Sequence, residues 1–386
     1  MTRHFYWREA TTFFHVELNP VETSWLIAEG IAEVKPTPVA GIVDVVVGNV
    51  CGMVSVGDLQ ISIAPKLPVN SIIWMMLYAR TGMRWRPENS TLGSSDLIEG
   101  LAEVYSSMLD DASRAGLLRG YQTVKNTDFT LRGRIRMADQ LSRHHGQLIP
   151  LEIEHDDYNH NIPENRILRS AIDVMLEVLT QNQHQSTAVR KLQHLRGLFI
   201  DVEPLTPDTL RPSWQPDRLN ERFIPAITLA ESILEHTGIQ VHAGELGARG
   251  ILLKMWEVFE EFVASALRRE APGLTTHTQY KMHLDTESDY PIYPDLVLTD
   301  GGAVVAVMDT KYKVGAPKSQ DLYQALSYAV TLGLNEATLI YPQARPTQLI
   351  NVNRSEISIR ITGIDLSREP DVILQSVREL APPTAP

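Results

Sequence analysis

Residues 293–313 read YPDLVLTDGGAVVAVMDTKYK, two apolar runs on either side of Asp300-Gly301-Gly302. Apolar runs flanking a glycine turn are the pattern of a β-hairpin. A three-residue loop pairs Thr299 with Ala303 and Asp295 with Val307. Asp295 and Asp309 then lie on one sheet face as diagonal neighbours. Lys311, two residues beyond Asp309, shares that face because side chains alternate along a strand. Two carboxylates and a lysine at one strand end suit metal-assisted phosphodiester hydrolysis. Carboxylate oxygens hold Mg²⁺, with Mn²⁺ as a substitute, and the ion activates water and offsets developing charge. The amine orients or deprotonates the water, or stabilises that charge. An ordinary hairpin with exposed turn carboxylates would carry the same string, so the flanking segments matter.

Upstream, ILLKMWEVFEEFVASALRRE (251–270) has the spacing of an amphipathic helix, with Leu252, Trp256, Phe259, Val263 and Leu267 on its apolar face. At about 100° per residue Glu260 borders that face, whereas Glu257 and Glu261 point further towards solvent. Glu260 is therefore the candidate third metal carboxylate beside Asp295 and Asp309. Downstream, Ser319 is positioned to cap a helix ending near Gly333, on which Gln324 and Tyr328 share a face. The order helix-Glu, Pro-Asp, Asp-x-Lys, Gln-x-x-x-Tyr points to an α/β PD-(D/E)xK restriction-endonuclease-like domain. Its Gln-x-x-x-Tyr spacing resembles the element that supports the metal site in RecB-like nucleases.

Further towards the N-terminus, GIVDVVVGNV, CGMVSV and DLQISIAPKL run or alternate apolar, punctuated at Gly48-Asn49, Cys51-Gly52 and Gly57-Asp58. They predict an α+β N-terminal region, β-rich and barrel-like. Helices are expected over 71–79, capped by Asn70 or Ser71, and over 96–109. A helical middle follows, with Pro163 opening one helix and others near 187–196 and 227–236. Five prolines between 201 and 225 exclude a long helix there. The expected organisation is 1–160 as a β-rich partner-binding region, 161–245 as a mostly helical linker, 246–370 as the nuclease domain and 371–386 as a tail.

Composition sets outer bounds. A formal net charge of −12 argues against a chain that grips DNA alone, since phosphate neutralisation supplies most non-specific affinity. The segment Arg114–Arg143 departs from that balance, with seven Lys/Arg against two Asp. It faces phosphate, a partner or simply solvent. A single cysteine, Cys51, excludes internal disulfides and cysteine-rich metal sites. It reads as a small buried residue at a strand turn. The histidines lack zinc-ligand spacing. No apolar run approaches the roughly 18 residues a membrane span needs, and MTRHFYWREA lacks a signal peptide's apolar core, so a cytoplasmic protein is expected. No GxxxxGK[ST] phosphate loop and no internal repeat occur.

The motifs extend well beyond the hairpin. Gly52-Met53-Val54, Ile63-Ala64-Pro65-Lys66, Met76-Leu77-Tyr78-Ala79, Leu131-Arg132-Gly133-Arg134 and Asn165-Arg166-Ile167-Leu168 precede the nuclease block in order. With that block, from about residue 50 to 345, the chain resembles the McrC family. The resemblance implies a Mg²⁺-dependent endonuclease subunit of a methylcytosine-dependent restriction system. It also implies a McrB-like AAA+ GTPase hexamer as partner. That partner binds the GTP and recognises double-stranded DNA carrying modified cytosine, and the β-rich N-terminal element inserts into it and stimulates its GTPase. A stand-alone RecB-like nuclease and a non-catalytic adaptor of the motor are the competing readings.

Overall fold

The computed structural model describes residues 3–84, 96–180, 186–206, 213–237, 248–313 and 315–383. Pro207 and Pro212 of the proline-rich stretch, and residues 384–386 of the expected tail, lie outside them. The chain divides into two compact units: 1–103 with 236–386, and 104–235. This grouping differs from the stretches read along the sequence because strand Ala248–Lys254 pairs antiparallel with Val50–Val56.

The first unit begins with two sheets. One has four strands in the order Arg3–Arg8, Leu59–Ala64, Val50–Val56, Ala248–Lys254. The other has three, in the order Thr12–Glu17, Ile42–Val47, Ala32–Pro36. Alternating Val and Ile from both sheets, with Trp7, Leu18 and Leu26, meet in one core. Gly57-Asp58 is a turn, as read from the sequence, but Cys51-Gly52 is not; both residues lie within the strand Val50–Val56. Gly52 serves close approach instead. Its φ is +134°, and a Cβ there would sit 2.1 Å from the Ile251 carbonyl oxygen. Cys51 is accordingly buried in a strand rather than at a turn.

The helix Val69–Thr81 starts after Pro68 with no side-chain cap, so neither Asn70 nor Ser71 is its N-cap; both are buried. Its Trp74 ring packs 5.1 Å from Phe262 of the helix Met255–Glu270, and Ser265 Oγ donates to the Ala79 carbonyl at 2.6 Å. That second helix begins later than its pattern suggested. Ile251–Lys254 belong to a strand, and Trp256 is 39% exposed, while Phe259, Val263 and Leu267 are fully buried.

A six-stranded mixed sheet completes this unit, in the order Thr275–Thr278, Leu296–Asp300, Ala303–Thr310, Glu336–Tyr341, Ser358–Gly363, Gln348–Asn351. The helix Ser319–Leu332 carries the chain from Ala303–Thr310 to its parallel neighbour Glu336–Tyr341. Such a crossover is what parallel pairing requires. The helix N-cap is Lys318, one residue before Ser319, and Gly333 ends it at φ +67°. The stretch expected as a tail starts with the helix Pro370–Arg378, which buries Ile373, Leu374 and Val377.

The second unit holds a three-stranded antiparallel sheet, Gly120–Asp128 and Arg134–Ile135 flanking Leu151–Asn159. Its helices are Met137–His144, Pro163–Thr180, Thr187–Leu198 and Ile224–Glu235, together with most of Leu97–Ser113. The basic segment lies wholly here, and most of its charge is matched by acids of the same unit. Arg114, Lys125, Arg134, Arg136 and Arg143 form ion pairs with Asp111, Glu154, Asp139 or Glu152. No helix among the described residues is long and apolar enough to cross a membrane.

Candidate active site

The hairpin forms with a register other than the expected one. Its turn has two residues, Gly301 and Gly302, both at positive φ (+56° and +91°), and Asp300 pairs with Ala303. Two adjacent glycines supply the left-handed pair that a tight hairpin turn demands, so no third loop residue is needed. A bulge then shifts the ladder, since Thr299 pairs with Val304 but Leu298 with Ala306. Val307 therefore faces Val297 rather than Asp295. Leu296 pairs with Met308, which brings Asp295 opposite Asp309 instead of diagonal to it.

Each carboxylate is held differently. Asp295 Oδ2 accepts from the Thr310 backbone N–H and from Thr310 Oγ1, both at 2.8 Å. The Gln279 amide nitrogen joins the other two elements, donating to Glu260 Oε1 at 2.6 Å and to Asp295 Oδ1 at 3.3 Å. Gln279 sits at φ +48°, and its N–H donates to the Asp295 carbonyl at 3.0 Å. Asp309 is 3% exposed and ion-paired with Lys311.

Lys311 is held from two sides. Its backbone N–H donates to the Ile340 carbonyl at 2.8 Å, which ties the end of the hairpin to the neighbouring strand. Its Nζ donates to Gln324 Oε1 at 2.9 Å. Gln324 Nε2 donates to the Tyr328 hydroxyl at 2.8 Å, and that hydroxyl donates to the Tyr293 carbonyl at 3.1 Å. Gln324 and Tyr328 thus form a hydrogen-bonded line from one helix face to the lysine amine. All six residues singled out in the sequence come together around this end of the sheet. Gln279 and Thr310 were not singled out. Gln279 lies in a loop with no periodic pattern, and only the extreme polarity of Asp-Thr-Lys after an apolar strand signalled Thr310.

The electrostatics show a surplus of negative charge. Burial, then the Asp295 carboxylate, pushes the pKa of Asp309 up to about 6, with Lys311 acting against both. Burial, then Asp295, raises Glu260 to about 7, against the Gln279 hydrogen bond. Burial and the Asp309 charge likewise raise the Tyr328 hydroxyl. Carboxylates that share a site resist joint ionisation. A divalent cation would relieve that cost. Among the described residues no three Asp, Glu, His or Cys side chains stand close enough together to hold a metal ion as they are placed, Glu260, Asp295 and Asp309 included. An all-oxygen donor set nonetheless suits Mg²⁺, which keeps several waters and takes only a few carboxylates.

A family model described as McrBC 5-methylcytosine restriction system component matches residues 45–342. No curated protein matches the chain. Among solved structures, a half-complex from a tetradecameric assembly of Thermococcus gammatolerans McrB AAA+ hexamers with bound McrC is similar in fold. The match has a TM-score of 0.61 at 17% identity and covers 98% of this chain and 100% of that one. The Thermococcus gammatolerans McrBC complex also matches, with a TM-score of 0.44 at 17% identity, over 70% of this chain and 88% of that one. The matched stretch runs from the first unit's strands through the whole carboxylate and lysine cluster, and the chain belongs to the family of McrBC 5-methylcytosine restriction system components.

Proposed function

We propose that the chain is the endonuclease subunit of a modification-dependent restriction complex, with a PD-(D/E)xK centre built from Glu260, Asp295, Asp309 and Lys311. The observation that carries this reading is the line Tyr328–Gln324–Lys311, which delivers an amine to a buried, over-charged carboxylate group. Asp295, Asp309 and Glu260 are the residues that would hold Mg²⁺ or Mn²⁺. When bound, that ion supplies an activated water and offsets charge on the phosphate.

The protein's own groups do the rest. Thr310 fixes the Asp295 carboxylate with two hydrogen bonds to Oδ2, so Oδ1, which accepts only the longer Gln279 bond, keeps one orientation. Gln324 holds Lys311 with the ammonium beside Asp309, where it can turn to a non-bridging phosphate oxygen as charge develops. Tyr328 orients Gln324 and leaves its carbonyl oxygen free to accept from the amine. Glu260, whose carboxyl burial and Asp295 push up to about 7, would give up its proton to hold a cation.

The partner is a McrB-like AAA+ GTPase hexamer, which binds GTP and reads the modified cytosine in duplex DNA. Two features support the division of labour: the chain has no phosphate loop, and it carries a net charge of −12. The structure whose fold it shares holds McrB AAA+ hexamers with bound McrC. The isolated chain is then expected to bind DNA weakly, with affinity falling steeply as salt rises. The test combines purified chain, methylated and unmethylated duplexes and Mg²⁺, with and without the motor and GTP. Cutting confined to the full mixture, and abolished by EDTA, is expected. Efficient methyl-specific cutting by the chain alone would leave a self-sufficient nuclease instead.

A further inference from the structure

Lys66 and Glu9 form a buried ion pair outside the carboxylate cluster. Glu9 follows the strand Arg3–Arg8, Lys66 follows Leu59–Ala64, and Asn49 precedes Val50–Val56, so all three cluster at one end of the four-stranded sheet. The Glu9 side chain is fully buried and that of Lys66 is 13% exposed. Lys66 Nζ lies 3.2 Å from Glu9 Oε1 and 3.1 Å from Asn49 Oδ1, and its backbone N–H donates to Glu9 Oε2 at 3.1 Å.

A buried charge pair rarely stabilises a fold more than apolar residues of the same volume would. Its neighbours suggest another use. The same ammonium sits 4.0 Å above the ring of Tyr312, whose hydroxyl donates to Glu9 Oε2 at 3.4 Å. Tyr312 is the residue after Lys311. The two side chains leave the strand end in opposite directions, one to the carboxylates and the other to the N-terminal sheet. The Tyr312 ring also meets Phe259 at 6.0 Å, and Phe259 precedes Glu260. Finally, the first N–H of the helix carrying Glu260, that of Met255, donates to the Asn49 carbonyl at 3.0 Å. One end of the sheet thus grips both chain segments that feed the candidate centre.

We propose that Glu9, Lys66 and Tyr312 form a positioning clamp through which the N-terminal sheet seats Lys311 against Asp309 and Gln324. Its consequence for DNA cutting rests on the nuclease reading, whereas the seating itself does not. Cation–π contact with Lys66 and packing on Phe259 hold the Tyr312 ring in one place, the long hydroxyl bond to Glu9 adding little, and the peptide joining the ring to Lys311 transmits that constraint. Displacing the sheet end would let the lysine swing from its seat, and small misplacements of such groups are costly in rate.

The test uses the full chain and two readouts. The first is the rate at which an amine-acylating reagent modifies Lys311, followed by peptide mass spectrometry, with the exposed Lys281 as internal control. The variants are Tyr312→Leu, Tyr312→Phe and the charge-free pair Glu9→Gln with Lys66→Met. Lys311 labelling is expected to rise several-fold in Tyr312→Leu and in the double variant, while Lys281 stays constant. Tyr312→Phe keeps the ring over Lys66 and should label like wild type. The second readout is cleavage by the chain with its motor and GTP. There kcat should fall about tenfold in Tyr312→Leu, with KM for DNA unchanged and Tyr312→Phe near wild type. Unchanged Lys311 labelling in a folded Tyr312→Leu or double variant would overturn the clamp, as would equal damage from Phe and Leu. If the double variant does not fold, the Tyr312 pair decides. A wild-type chain that never cuts DNA would sink the nuclease reading and leave the labelling result to judge the clamp.

Discussion

Glu260 and Glu270 stand on the same helix, are both substantially removed from solvent, and have opposite electrostatic fates. Glu270 accepts from the Tyr78 hydroxyl at 3.1 Å, from Arg84 at 2.8 Å and from Arg378 at 2.5 Å. Although burial alone would raise its pKa, those donors hold the carboxyl below the usual carboxylate range. Glu260 receives one neutral amide bond and faces two further carboxylates, and it is pushed up to about 7. The first environment is complete, with its negative charge already answered by arginines. In the second, among the described residues, Lys311 is paired with Asp309 while Asp295 and Glu260 raise the local negative charge. A surplus of charge of this kind is what the proposed cation centre would neutralise.

Substitutions should separate the two ends of that contrast. The largest effect belongs to Asp309→Ala, which is expected to cut DNA cleavage by the assembled complex by about 10³-fold or more while fold and partner binding persist. Asp295→Ala and Lys311→Ala should behave alike, and pairwise combinations should add little, because the three act as one unit. Full cleavage by Asp309→Ala in the complex would remove the assignment. Next comes Glu260→Gln, expected to weaken activity by about ten- to a hundredfold. Glu261→Gln, on the solvent side of the helix, should leave activity within about twofold. Equal losses at 260 and 261 would undo the helical-face argument.

Glu270→Gln inverts the pattern. It should cost about 1–3 kcal/mol of stability by weakening two arginine contacts, read by chemical denaturation, and leave the metal concentration for half-maximal cleavage unchanged. A shifted metal requirement would mean that the two carboxylates are not independent.

The smallest effect is a pH slope. Glu260 and Asp309 have folded pKa values raised above those of the unfolded chain, so the stability they contribute is fully present below the unfolded values. It is lost as pH rises through about 6 and 7. The metal-free melting temperature should therefore fall between about pH 5 and pH 8 by a few degrees, and saturating Mg²⁺ should suppress that fall. Glu270, with a lowered pKa, acts in the other direction, its stabilisation being lost only as pH drops below the carboxylate range. Glu260→Gln should flatten the neutral-pH slope, whereas Glu270→Gln should not. A melting temperature that climbs steadily from pH 5 to pH 8 in the metal-free protein would contradict the assigned charge surplus.

How much of this was legible in the sequence follows from how local each signal is. Asp295, Asp309 and Lys311 sit in one hairpin, where alternation alone gathers them, and Gln324 and Tyr328 share a helix face by spacing. The register departs from the one alternation predicts because the two glycines satisfy a shorter turn and a bulge shifts the ladder. The helix carrying Glu260 begins later than the pattern predicts because Ile251–Leu253 fit strand and helix periods equally well. Only the distant partner Val50–Val56 resolves that choice. The same long-range pairing turned Cys51-Gly52 from a supposed turn into a strand interior. Gln279 had no local signal, since its role depends on a positive φ in an irregular loop and on two carboxylates from other elements.

Whether Glu260, Asp295 and Asp309 form a divalent-cation centre is decided by titrating Mn²⁺ into the full chain by calorimetry at pH 6.5 and 8. Saturable binding that releases protons at the lower pH and fewer at the higher is predicted, because Glu260 and Asp309 must ionise to take the cation. Asp309→Ala should abolish that heat and Glu270→Gln should preserve it. Binding that is absent from the wild type, or undiminished in Asp309→Ala, would mean that these carboxylates hold no divalent cation.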